Sequence, residues 1–209
     1  MIELPVRDLA LFAGAALLLN LTPGADMLFV AGTGAAHGRR AGLLAALGVG
    51  AGCALHTLLA AAGLSALIAA SELAFNLVRW AGALYLVWLG LGLLRPRAAR
   101  AADAPRRGHP FWQGALTNAL NPKVALFFLA FLPQFIEAGA PGQAAALLVL
   151  GSLFNVGGTA VNLVVALAAS QVAHSLAGQA MSGGLGTWLQ RACGALFIGL
   201  GVRLAVGSR

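Results

Sequence analysis

The chain has 209 residues, of which 60% are apolar and only 9% charged, and its mean hydropathy is +0.87. Soluble domains run about 45–50% apolar and about 25% charged, so the polar surface that water requires is missing and an ordinary soluble globule is excluded. The net charge of +7, from 13 Lys and Arg against 6 Asp and Glu, would suggest nucleic acid in a soluble protein, but the arginines crowd the connectors between apolar runs, where the positive-inside rule accounts for them.

In chain order, apolar runs cover residues 9–35, 41–70, 73–94, 111–136, 142–173 and 185–206. Each exceeds the roughly 20 residues that a spanning helix needs. The predicted class is therefore an all-α integral membrane protein with six transmembrane helices and a single transmembrane domain, residues 1–209. Glu3, Arg7 and Asp8 replace the cationic start of a signal peptide, and the first run continues past Asn20 into Thr22-Pro23-Gly24, so no cleaved leader is expected. Arg39 and Arg40 follow the first run, and Arg95, Arg97, Arg100, Arg106 and Arg107 lie in the polar connector 95–110, while the loops at 71–72 and 137–142 carry no Lys or Arg. This bias predicts a cytoplasmic connector and periplasmic termini. Trp112 and Trp188 start spans 4 and 6 at the expected cytoplasmic interface, as aromatic belts do. Cys53 and Cys193 fall inside apolar runs without a CxxC pair and read as packing residues.

The connector separates residues 1–94 from residues 111–209, and the two halves resemble one three-helix repeat written twice. Arg79-Trp80-Ala81-Gly82-Ala83-Leu84-Tyr85-Leu86 parallels Arg191-Ala192-Cys193-Gly194-Ala195-Leu196-Phe197-Ile198, and Leu21-Thr22-Pro23 parallels Leu120-Asn121-Pro122. A weaker match sets Ala51-Gly52 and His56 beside Gly157-Gly158 and Asn162. An odd number of spans per half inverts the second relative to the first. Inverted repeats with helices interrupted at corresponding positions are the sequence pointer to a secondary-transporter site near the midplane.

The chemistry clusters at those interruptions. Proline removes a backbone donor and clashes with the carbonyl one turn back, which hydrocarbon cannot satisfy, so Pro23 and Pro122 belong on a protein-lined or wet cavity. Gly24 loosens the first break further, and a half-helix starting beyond each break offers N–H groups and a positive dipole end to a carboxylate. Asp26 is the acidic residue set well inside an apolar run, and Lys123 is the one lysine of the chain. A charge at mid-span costs on the order of 2.5–3.5 kcal/mol on insertion scales, so the two are expected to meet in the interior, as a structural ion pair or as a site in which Asp26 attracts an ammonium or carries a proton. His56, with Thr57 beside it, lies midway along span 2 and could titrate near neutrality or serve as a buried hydrogen-bonding residue. Asn118, Asn121, Asn155 and Asn162 are amides buried by position that could bond substrate or another helix. Arg79 and Arg191 lie nearer span ends, where they can snorkel. The 28 glycines permit close helix contact.

With Thr22-Pro23-Gly24-Ala25-Asp26-Met27-Leu28-Phe29-Val30, Gly38-Arg39-Arg40-Ala41-Gly42, His56, Ala81-Gly82-Ala83-Leu84-Tyr85-Leu86, Leu89-Gly90, Gly114, Asn118, Asn121-Pro122-Lys123 and the run Phe127 to Phe135 in hand, the sequence resembles the lysine exporter and homoserine/threonine resistance family of bacterial amino-acid exporters over almost its full length. Ala25 stands where that family commonly has Pro, so the first break is expected to be less rigid. The resemblance implies an inner-membrane exporter of amino acids or their derivatives that exchanges them for protons, with importance falling on Asp26, Asn121, Pro122 and Lys123. The expected substrate-binding set is Thr22, Pro23, Gly24, Asp26, Asn118, Asn121, Pro122 and Lys123, with Asp26 and His56 for proton coupling. No cofactor, metal or nucleic acid is expected; lipid surrounds the chain and a homodimer is left open.

Two rival classes compete. An intramembrane hydrolase would need a nucleophile beside a base, but Ser65 and Ser152 have no GxSxG setting and no HExxH occurs, so an enzyme is not expected. A divalent-metal exporter of similar architecture would need several oxygen ligands, where this chain offers one intramembrane carboxylate facing a lysine.

Overall fold

The computed structural model describes residues 5–64, 108–137 and 140–175, together with single helical positions at 80, 84, 87, 88, 91, 195, 198, 199 and 202. The matched Arg-x-x-Gly-Ala-Leu segments of spans 3 and 6, the connector up to residue 107, Cys193 and Trp188 lie outside the described residues. What is described is helical, without strands: α1 (Leu9–Leu21), α2 (Ala25–Leu59) running into a π turn (Ala60–Leu64), α3 (Pro110–Ala119), α4 (Pro122–Leu126) continuing through a π turn (Phe127–Phe131) and a 3-10 turn (Leu132–Phe135), and α5 (Gln143–Ser175). The segment before α1 is pinned by an antiparallel bridge of Val6 with Ile136, where the Arg7 N–H donates to the Phe135 carbonyl at 2.9 Å and the Glu137 N–H to the Pro5 carbonyl at 3.0 Å.

By length and composition two helical stretches could cross a bilayer, Ala25–Gly63, which a turn at Gly38 divides, and Gln143–Gln171, and Pro110–Ala119 with Pro122–Phe135 makes a third if the pair, bent by 45°, is one broken span. The first two sequence-predicted spans take a form the composition did not announce. Where a loop around Arg39-Arg40 was expected, helical hydrogen bonding continues, and one residue departs from it: Gly38, at φ 83° and ψ 177°. That conformation favours glycine, and the chain folds back there. A Cβ added at Gly42 would lie 2.9 Å from the Gly34 Cα, whereas eight residues of straight helix would hold the two about 12 Å apart. The limbs 25–37 and 39–59 therefore form a helical hairpin with a one-residue hinge.

Small residues set how closely the limbs pack. A Cβ at Gly52 would meet the Ala115 carbonyl at 2.5 Å, and one at Gly34 the Ala166 carbonyl at 3.0 Å, so α3 and α5 both approach α2 backbone to backbone. Two apolar cores result. One is aromatic, built on Phe12, Phe127, Phe128, Phe131, Phe135 and Phe154 with Leu19, Leu147 and Leu150, and its rings include the stacked pair Phe127–Phe154 at 4.4 Å between centroids. The other is made of small aliphatics, Val30, Ala45, Ala46, Val49 and Ala166. Along α5 the order is Leu147, Leu150 and Phe154 in the first core, Asn155, Thr159 and Asn162 next, then Ala166 in the second core. A polar layer thus separates the two cores.

Candidate functional site

That layer is built by the two helix breaks. Proline has no N–H with which to bond the carbonyl four residues earlier, so Pro23 orphans the Leu19 carbonyl and Pro122 orphans the Asn118 carbonyl. Each is taken up by a side chain from another part of the chain. Lys123 Nζ donates to the Leu19 carbonyl and to the Thr22 carbonyl, both at 2.9 Å, and the Leu19 carbonyl also accepts the Thr22 N–H at 3.2 Å. His56 Nε2 lies 3.1 Å from the Asn118 carbonyl, which also accepts the Asn121 N–H at 2.9 Å. The ammonium at the C-terminal end of α1 meets the negative end of that helix dipole, and Asp26 in the first turn of α2 sits at a positive end, where a carboxylate is favoured.

The carboxylate completes the exchange. Asp26 Oδ2 accepts from Asn118 Nδ2 and from Asn121 Nδ2, each at 2.9 Å, while Asn121 Oδ1 caps α4 by accepting the Lys123 N–H at 3.0 Å. Asp26 and Lys123 line the same small cleft, a cavity of about 40 Å³. The expected meeting of the two charges in the interior finds both on this one cleft, with hydrogen bonds of Asp26 running to two asparagines and hydrogen bonds of Lys123 to main-chain carbonyls.

Of the sequence-predicted set, Thr22, Gly24, Asp26, Asn118 and Lys123 line the cleft. Thr22 is buried and its hydroxyl donates back to the Leu18 carbonyl at 2.6 Å, while Gly24 leaves room for the lysine, whose Nζ a Cβ there would approach to 3.4 Å. Asn121, Pro23, Pro122 and His56 are not among the lining residues. Asn121 is buried behind Asp26, both proline rings are exposed, and His56 packs against the Phe128 ring at 5.9 Å. The cleft also takes Asn20, Asn155, Thr159 and Asn162. Asn20 Nδ2 donates to the Phe154 carbonyl at 3.1 Å. The other three fall at spacings of four and three on α5, a one-face polar stripe that the sequence displays and that treating the amides one at a time misses. Among the described residues no group of three or more His, Cys, Asp or Glu converges.

Apolar helices long enough to span, broken around a polar cleft, define the class as an integral membrane protein. The chain belongs to the LysE type translocator family, whose model matches residues 17–208. It is 33% identical over 208 residues to a leucine efflux protein of Enterobacter sp. (strain 638), covering 97% of each chain. It is 34% identical over 192 residues to a homoserine/homoserine lactone efflux protein of Salmonella typhimurium, covering 90% of this chain and 91% of the relative, and 33% identical over 199 residues to an uncharacterized membrane protein of Vibrio cholerae, covering 92% and 94%. No solved structure gives a significant match.

Proposed function

We propose that this chain is a secondary transporter, not an enzyme, that exports amino acids or their derivatives across the bacterial inner membrane in exchange for protons. The observation that carries the reading is the crossed pairing of the two helix breaks on one cleft, which puts an acid and a base where a zwitterion's two ends would lie. Asp26, held by Asn118 and by Asn121 behind it, receives the ammonium end, and Lys123 with Thr22, Gly24 and the loosened turns at Pro23 and Pro122 receives the carboxylate end. Asp26 is the proton-coupling group, with His56 as the second titratable group behind it. Relatives named for leucine, homoserine and homoserine lactone efflux support a small amine-bearing substrate.

The architecture proposed with it is six spans in two inverted repeats, 1–94 and 111–209, around a cytoplasmic connector 95–110, with both termini periplasmic. Arg39, Arg40 and the five connector arginines on one side, against none in the loops 71–72 and 137–142, support this orientation. Proteoliposomes loaded with leucine or homoserine, or with Mn²⁺, test the function: amino-acid efflux that rises with an imposed pH gradient is expected, and metal flux without amino-acid flux refutes it. For orientation, a cysteine placed at position 103 should resist membrane-impermeant maleimide in intact cells, and labelling from outside inverts the topology.

A further inference from the structure

The α5 wall of the cleft contains a residue whose hydrogen bonding is incomplete. Asn155 Nδ2 donates to the Gly50 carbonyl at 3.1 Å and Thr159 Oγ1 donates to Asn155 Oδ1 at 3.2 Å, so these two hold each other and α2. Asn162 differs. Its Nδ2 donates to the Gly158 carbonyl at 3.1 Å, and because a carbonyl only accepts, that bond fixes the amide orientation. Its Oδ1 is left buried without a hydrogen-bond partner in a side chain only 8% exposed. Asn118, 2% exposed, repeats the pattern: Nδ2 is spent on Asp26 Oδ2 and Oδ1 has no partner. Asp26 Oδ1 is the third such oxygen on the cleft, while a fourth, Thr33 Oγ1, belongs to a residue that does not line it.

All three residues line the one cleft, and all three unpartnered atoms are acceptors, one of them anionic. A buried acceptor without a donor is costly, so an occupant that satisfies this group must bring N–H or O–H groups and suits the carboxylate best if it brings positive charge. A primary ammonium supplies three donors and one charge. A carboxylate would meet only acceptors here and be repelled by Asp26.

We propose that Asn162, together with Asn118 and Asp26, forms an ammonium-binding end of the cleft, and that this end selects substrates by the amine, so that amino-acid amides and esters bind while deaminated acids do not. The inference rests on the amino-acid export reading and adds Asn162 and a substrate rule to it. The full-length protein in detergent, in choline chloride buffer, is titrated with leucine, leucinamide and 4-methylpentanoate while its thermal unfolding midpoint is followed. Leucine and leucinamide should raise the midpoint, and 4-methylpentanoate, which lacks the amine, should leave it unchanged. Asn162→Leu should weaken leucinamide about ten- to a hundredfold, the worth of one hydrogen bond to a charged group, and Asn162→Asp, which keeps an acceptor, should retain it whether or not the leucine variant folds. A wild-type protein that ignores leucine overturns the export reading and this inference with it. Leucine binding without leucinamide binding, 4-methylpentanoate binding as well as leucinamide, a folded Asn162→Leu with wild-type leucinamide affinity, or loss of binding in Asn162→Asp overturns this inference alone. A midpoint raised by sodium in place of choline, with leucinamide silent, overturns it in favour of an alkali-cation site.

Discussion

The two helix breaks share a proline in the same sequence setting, yet they are held in opposite ways. The first, at Thr22-Pro23-Gly24, has no side-chain cap on the helix that follows, and its Leu19 and Thr22 carbonyls both accept from a lysine about a hundred residues away. The second closes itself: Asn121 caps its own half-helix through Lys123 N–H and has an amide to spare for Asp26. One break therefore supplies acceptors and the other supplies donors, and neither is complete alone. Two copies of a motif need not keep the same chemistry; here the division of labour between them creates the cleft's polarity.

The comparison can be broken most severely at the acceptor. Asp26→Asn keeps the side chain's shape but cannot ionise, and it presents an amide to Asn118 and Asn121 that satisfies them less well. Gradient-driven export in proteoliposomes should be abolished while the protein still inserts and elutes as a folded species; wild-type export under a pH gradient would remove Asp26 from coupling and hand the role to His56. The donor side comes next. Lys123→Met removes two charge-assisted hydrogen bonds, to the Leu19 and Thr22 carbonyls, each worth roughly 1.5–3 kcal/mol, so stability should fall by about 3–6 kcal/mol. Asn121→Ala, which loses a cap worth about 0.5–2 kcal/mol as well as a bond to Asp26, should cost less than Lys123→Met. Equal losses would mean that the first break does not depend on the lysine. The smallest effect is expected at His56. His56→Gln can still donate to the Asn118 carbonyl and should change stability by less than about 1 kcal/mol, whereas His56→Leu should cost about 1–3 kcal/mol. A wild-type pH profile of export in His56→Gln would assign the histidine to the helix break and not to coupling.

The breaks themselves were legible in sequence because proline in an apolar run is both rare and physically expensive, and so were Asp26 and Lys123, for the same reason. Which partner each charge takes was not legible. That outcome depends on which carbonyls lose a donor to the prolines, Leu19 and Asn118, and on which side chains reach them in space. Gly38 shows a second kind of limit: the arginines beside it suggest a loop, yet a single residue at positive φ turns the chain while its neighbours stay helical. The Asn155, Thr159 and Asn162 stripe, by contrast, was available to a helical-face count over the fifth apolar run.

The dependence of the first break on the second has a consequence for biosynthesis. Asp26 is separated by 92 and 95 residues from the asparagines that bond it, and the Leu19 carbonyl by 104 residues from its lysine. At about 5–20 residues per second of synthesis, the nascent chain emerges with a broken helix, an unpartnered carboxylate and orphaned carbonyls on the order of 5–20 s before their partners exist. Helix α1, with 13 residues, is about 20 Å long against a hydrocarbon core of about 30 Å, so it cannot anchor the chain by itself during that interval. The first break must then wait at a wet interface or in the translocon until Asn121 and Lys123 arrive, which makes the insertion of the first hairpin a step completed by the second half of the protein.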